Sequence, residues 1–129
     1  MSIDTLAAWH ALLANPSPSA LDALLADDVV FHSPVVHRPQ IGKAITTQYL
    51  AAALQVLCDP SFRYVREFRG PTSAVLEFEV TLGGIHVNGV DIFEWNPDGR
   101  ITDFKVMLRP LKAVQLVQEK MAALLAARQ

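Results

Sequence analysis

The sequence predicts an α+β fold: three N-terminal helices packed on a strongly curved, mostly antiparallel sheet, with a further helix at the C-terminus. Three observations carry this. Apolar residues recur at helical spacing in the first half of the chain and switch to a period of two from about residue 62. The period-two segments are joined by short turn-forming pieces, so strands adjacent in sequence are expected to be antiparallel neighbours. Helical spacing then returns after Pro110. Helices followed by a run of strands are an α+β layout, and a twisted sheet wrapped round one helix layer leaves a cone with an open mouth.

The first helix is expected over residues 3–14, with Leu6, Trp9, Leu12 and Leu13 on one face. Asn15-Pro16-Ser17-Pro18 stops it. Ser17 or Ser19 can cap a second helix that carries Leu21, Leu24 and Leu25 and ends near Asp27-Asp28. Residues 29–36 (VVFHSPVV) read as a strand, at an edge or ending at Pro34 because proline cannot donate to a ladder. HRPQIG is a loop, and Gly42 opens a third helix through about Leu57. Strands follow at 62–69, 73–82, 85–95 and 100–109, joined by Gly70-Pro71, Gly83-Gly84 and Asn96-Pro97-Asp98-Gly99. The last helix, residues 111–127, places Leu111, Val114, Val117 and Met121 on one face.

With 129 residues, the chain is expected to form a single domain over 1–129. Hydrophobic residues make up 51% and charged residues 19%, which suggests a lined cavity or a buried interface. No apolar run reaches the roughly 18–20 residues of a membrane span, so no membrane partner is expected. The N-terminus lacks the basic start and continuous apolar stretch of a signal peptide, which points to a cytoplasmic protein. Net charge is −2 and the basic residues are scattered, so nucleic acid is not an expected partner. The single cysteine, Cys58, excludes an intrachain disulfide and is expected to pack on a helix as a small apolar residue. No G-x-G-x-x-G, P-loop or converging histidine set is present, so neither cofactor nor metal is expected.

Asp91 is the residue that stands out. It sits in the apolar run Val87, Val90, Ile92, Phe93 and Trp95, and strand parity puts Gly89, Asp91, Phe93 and Trp95 on the cavity side. A carboxyl buried there has its pKa raised, which suits a hydrogen-bonding acid or a base working near neutrality. Trp9, Phe31, Phe78, Phe93 and Trp95 are expected to line the hollow. So are Phe104, Val106 and Leu108 on the last strand. Tyr49 and Tyr64 are the phenols that can meet a ligand oxygen. Ser33 and His32 are further candidates to orient a ligand, although alternation sets His32 on the opposite side from Phe31 and Ser33. His86 and Asn88 would turn inward only if a bulge at Gly89 shifted the register.

Three segments, LLADDVVFHSPVVHRPQIGKAIT, GVDIFEWNPDGRI and DFKVML, resemble the nuclear-transport-factor-2-like superfamily. The likeness is greatest to its SnoaL-like branch, which includes polyketide cyclases and relatives of ketosteroid isomerase. The resemblance implies a cystatin-like cone and a hydrophobic small-molecule ligand. It also implies a homodimer through the outer sheet face, where Val90, Ile92 and Met107 lie. Carried over residue by residue, the ketosteroid isomerase aspartate that donates to an oxyanion falls on Asp91. That enzyme's base falls on Ser33, its oxyanion tyrosine on Trp9 and its supporting tyrosine on Leu50. Serine cannot replace a carboxylate base and tryptophan offers only an N–H, so the chain is not read as a ketosteroid isomerase. What remains is a SnoaL-like acid/base enzyme (isomerase, cyclase or hydrolase type) working through Asp91 on a hydrophobic carbonyl compound. The alternatives are a non-catalytic module for ligand or protein binding, and a domain whose cavity its own side chains fill.

Overall fold

The computed structural model describes residues 4–127. Its elements are α1 (Thr5–Ala14), α2 (Pro18–Leu24), β1 (Leu25–His32), β2 (Gln40–Ile41), α3 (Lys43–Val56), β3 (Arg63–Arg69), β4 (Ser73–Leu82), β5 (Ile85–Trp95), β6 (Ile101–Arg109) and α4 (Leu111–Ala127). The fold is α+β. One sheet runs β2-β1-β6-β5-β4-β3, antiparallel throughout except that β1 lies parallel to β6.

Local chemistry sets most of the element ends. Asp4 caps α1 by accepting from the Ala7 N–H at 3.1 Å. Ser17 caps α2 through the Ala20 N–H, with Pro18 in the first turn where a missing donor costs nothing. Gly83 and Gly84 both have positive φ, 55° and 80°, so a two-residue turn joins β4 to β5 without strain. The Asn96 side chain accepts from the Asp98 and Arg100 N–H groups and holds the turn into β6.

The first strand differs from its expected span. It begins at Leu25 and includes Asp27 and Asp28, both solvent-facing, and it ends at His32, short of Pro34. Burial accompanies the shift: Leu25 and Ala26 are both buried and continue straight from α2 into the strand. Residues read as loop supply the two-residue β2, which pairs Val30 with Ile41. In α4 the buried stripe is Ala113, Val117 and Met121, while Leu111 is exposed at the helix start.

Side chains on the inner face of β4 to β6 alternate cleanly. Ala74, Leu76, Phe78 and Val80 of β4, then Val87, Asp91 and Phe93 of β5, face the helices. The outer face carries cross-strand ion pairs: Arg63 to Glu79 at 3.0 Å, and Arg66 to Glu77. Bulges curve this sheet. Register shifts interrupt β3–β4 between Tyr64 and Arg66, β5–β6 between Glu94 and Trp95, and β1–β6 between Leu25 and Val30.

Gly89 marks a close approach. A Cβ there would lie 2.5 Å from Cζ of Phe78, 2.7 Å from Cδ2 of Leu108 and 2.8 Å from the Met107 carbonyl oxygen. Alanine normally favours a strand interior over glycine by roughly 0.5–1 kcal/mol. Here Gly89→Ala is expected instead to destabilise by about 1–3 kcal/mol, because one of the obstructing atoms is backbone. Urea denaturation checks this, and a midpoint equal to or above wild type would show that the neighbours yield freely.

Candidate functional site

The centre of the site is Asp91, fixed on the middle of β5 between Leu76 of β4 and Val106 of β6. Asp91 is 6% exposed. Tyr64 arrives from β3, and the bulge decides its partners. Before the bulge Tyr64 pairs with inward-facing Phe78, and after it Arg66 pairs with outward-facing Glu77. Strict alternation would have put Arg66 on the same face as Tyr64. The extra residue, Val65, turns the guanidinium out to its carboxylate and leaves the phenol inside.

Three polar groups form a chain at the cavity's inner end. The Tyr64 hydroxyl donates to Oδ2 of Asp91 at 2.6 Å, and the Trp9 indole N–H donates to the Tyr64 oxygen at 2.9 Å. Trp9 comes from α1 and rests on Phe104 at 4.9 Å and Phe93 at 5.8 Å between ring centres. Burial penalises the carboxylate form and pushes the Asp91 pKa up to about 7, with the Tyr64 hydrogen bond pulling the other way. The phenol of Tyr64 is driven well above its ordinary range, first by burial and then by the neighbouring charge of Asp91. Near neutral pH Asp91 therefore holds its proton loosely while Tyr64 keeps its own.

In front of this chain lies a cavity of about 460 Å³. Leu50 and Leu54 of α3 and Val117 and Met121 of α4 wall it. Its loop-built end is lined by Pro16, Pro34, Val35 and Pro60, together with Cys58 and Asp59. Asp59 is occupied locally, accepting from the Ser61 hydroxyl at 2.6 Å and the Ser61 N–H at 2.8 Å. Oδ1 of Asp91 has no hydrogen-bond partner among the described residues. It is not among the fully buried unpartnered atoms, which leaves it open to the cavity.

The candidate residues separate into two groups. Trp9, Phe31, Ser33, Tyr64, Asp91, Phe104, Val106 and Leu108 reach the wall. Tyr49, Phe78, Phe93, Trp95 and His32 do not. Phe93 stacks on Phe104 at 5.2 Å with rings 2° from parallel, and Trp95 packs on Phe93 at 5.9 Å, so of this aromatic cluster Phe104 reaches the wall while Phe93 and Trp95 do not. Phe78 lies beneath Phe62 and Tyr64. Tyr49 packs on Phe31 with ring centres 5.9 Å apart and does not reach the wall. His32 points to the outer side of β1, with Nε2 3.1 Å from Oδ2 of Asp103 on β6.

Ser33 reaches the wall, but its oxygen accepts from the Val35 N–H at 3.2 Å in a local turn. No bulge occurs at Gly89. The β4–β5 register runs unbroken through it, and Asn88 donates outward to Glu77. His10, on α1, lies 2.7 Å from Glu67. Cys58 is not packed on α3; it lies exposed beyond the helix end.

Phe62, Leu54, Leu57, Val117 and Met121 also line the cavity and were not expected there. Phe62 was legible as the period-two partner of Tyr64. The α4 residues were legible as an apolar face, but nothing local said what that face covers. Among the described residues no three His, Cys, Asp or Glu side chains gather as a metal-binding group. No helix among them is long and apolar enough to cross a membrane.

Comparison with known proteins agrees with this architecture. The model of the SnoaL-like domain family matches residues 6–104. A structure described as a steroid delta-isomerase from Pseudomonas aeruginosa is 39% identical, with a TM-score of 0.89, covering 96% of this chain and 90% of that one. An uncharacterised bacterial protein with a cystatin-like fold from Silicibacter pomeroyi is 32% identical, with a TM-score of 0.85, covering 93% of this chain and 84% of its own. A protein with a ketosteroid isomerase-like fold from Catenulispora acidiphila, solved with trimethylamine, shares the fold at 15% identity and a TM-score of 0.63, covering 92% and 95%. Among curated proteins the chain has no match.

Proposed function

The chain belongs to the SnoaL-like domain family, and from that premise we propose that it binds an apolar carbonyl compound and moves a proton on it through Asp91. One observation carries the reading: a carboxyl group, nearly buried, stands at the wall of an apolar cavity with a single protein partner and an affinity for its proton near neutrality. A base of that strength is matched to the working pH, which is where general acid–base catalysis is most effective. Ionised Asp91 would take a proton from the carbon next to the carbonyl through Oδ1 and return it at the same or a neighbouring carbon. The apolar walls hold the carbon skeleton and limit access of water to the reacting carbon.

The steroid delta-isomerase description of the Pseudomonas aeruginosa protein supports an enolisable carbonyl as the substrate class. The steroid reaction itself is not the proposal. Ser33 stands where the sequence likeness puts that reaction's base, and its hydroxyl is engaged by Val35. A serine in place of that base favours the other reading, a module that binds the ligand without turning it over.

Hydrogen–deuterium exchange at the carbons beside the carbonyl of apolar methyl ketones, followed by NMR in heavy water, separates the two. Wild type is expected to accelerate exchange, and Asp91→Asn to lower the rate by at least about 100-fold while retaining binding. Saturable binding with no accelerated exchange would establish the non-catalytic reading instead.

A further inference from the structure

Resting on the reading of ionised Asp91 as a base, we propose that the Ser33 hydroxyl donates to the carbonyl oxygen of the bound compound and steadies the charge that gathers there. While Asp91 is ionised, the side chains lining the cavity that can donate a hydrogen bond are Trp9, Ser33, Cys58 and Tyr64. The Trp9 N–H is given to the Tyr64 oxygen, and the Tyr64 hydroxyl to Asp91. The Cys58 thiol is a weak donor in an exposed position at the loop-built end. Ser33 remains. Its oxygen accepts from the Val35 N–H at 3.2 Å, and its own proton has no acceptor among the described residues. The bond from Val35 fixes the oxygen at the wall. It also polarises the hydroxyl and makes the uncommitted proton a better donor.

Strand register brings this hydroxyl to the same ligand as Asp91. The β1–β6 ladder pairs Phe31 with Phe104 and His32 with Lys105, and one residue further it sets Ser33 beside Val106. On the other side of β6, Val106 pairs with Asp91. Ser33, Val106 and Asp91 thus make one row across the sheet, and all three line the cavity. Two strand spacings, roughly 9–10 Å, separate the Ser33 and Asp91 backbones. A ketone lying over Val106 bridges that interval, its oxygen toward Ser33 and the adjacent carbon toward Oδ1 of Asp91.

The proton transfer balances with these two residues alone. The proton passes from carbon to Oδ1, the C–H electron pair becomes the carbon–carbon double bond of an enolate, and the carbonyl π pair moves to oxygen. Ser33 keeps its proton and shares it with that oxygen. Return of the proton from Asp91 to carbon restores the carbonyl. A hydrogen bond to the charged enolate oxygen is stronger than one to the neutral ketone, so Ser33 lowers the barrier more than it tightens binding.

The test follows deuterium exchange into the methyl group of naphthyl methyl ketone by NMR, with ethylnaphthalene as a matching skeleton without the oxygen. Ser33→Ala is expected to lower kcat for exchange about 100-fold and to change KM by less than about threefold. Calorimetry is expected to find ethylnaphthalene bound as tightly by Ser33→Ala as by wild type. Ser33→Thr keeps a hydroxyl and is expected to recover kcat to within about tenfold of wild type. Exchange by wild type that Ser33→Ala matches would overturn the Ser33 donor and leave the Asp91 reading standing. So would a loss confined to KM and shared by ethylnaphthalene, or a loss that threonine does not recover, since either belongs to the turn between Ser33 and Val35. No exchange by wild type above the rate in buffer would overturn the two together.

Discussion

Asp91→Asn is expected to make the protein more stable at pH 8.5 and to leave its stability little changed at pH 4. The folded-state pKa of Asp91, about 7, lies above its ordinary value of 3.8. The folded protein thus holds a proton that the unfolded chain releases across this interval. The stabilisation from that proton is fully present below the unfolded value and is lost as pH rises through the folded one. Roughly three pH units of difference correspond to a loss on the order of 4 kcal/mol across the window. Asparagine keeps the shape and an acceptor for Tyr64 but cannot ionise, so it escapes the loss. The gain falls short of the full figure because the amide N–H groups then face an apolar wall. Chemical denaturation at several pH values checks this: wild type is expected to weaken between pH 4 and pH 7.5 relative to the variant. Parallel pH profiles would mean that water reaches Asp91 freely and that its carboxylate is not penalised.

Trp9→Ala carries the second large effect, a destabilisation of about 3–5 kcal/mol. Trp9 is 1% exposed and fills the space between α1 and the stacked pair of Phe93 and Phe104. Removing the indole leaves a hole that a helix tied to the turn at Gly99 by the buried Thr5 hydroxyl cannot collapse to fill. Trp9→Phe separates packing from the hydrogen bond. It retains most of the ring and loses only the N–H to Tyr64, and it is expected to cost about 1–2 kcal/mol. Urea midpoints distinguish the two, and equal losses in both variants would assign the effect to the hydrogen bond rather than to packing.

The ends of β4, β5 and α4 were readable residue by residue, because alternation or a helical stripe ran uninterrupted between strong turn residues. The first strand was harder. Leu25 and Ala26 extend the strand at its start, and nothing local distinguishes them from the last turn of α2. The parallel pairing of β1 with β6 joins segments some seventy residues apart, as in His32 opposite Lys105, and no turn chemistry announces it.

At the site, parity placed Asp91 on the inner face of β5. The same rule applied to β3 would have carried Arg66 inward with Tyr64, and it was silent on the bulge that separates them. Likewise the aromatic residues all read alike. Only packing divides Phe104, which reaches the cavity, from Phe93, stacked behind it.

The sequence alone determined the class of fold, the order of its elements, and the presence of one carboxyl in an apolar strand, since periodicity and turn residues act over a few positions. The tertiary structure decided that Tyr64 bonds Asp91, that Trp9 bonds Tyr64, and that α3 and α4 leave a hollow before them. Those outcomes depend on one extra residue in β3 and on how curved layers fit, which are properties of the assembled chain and of no single segment.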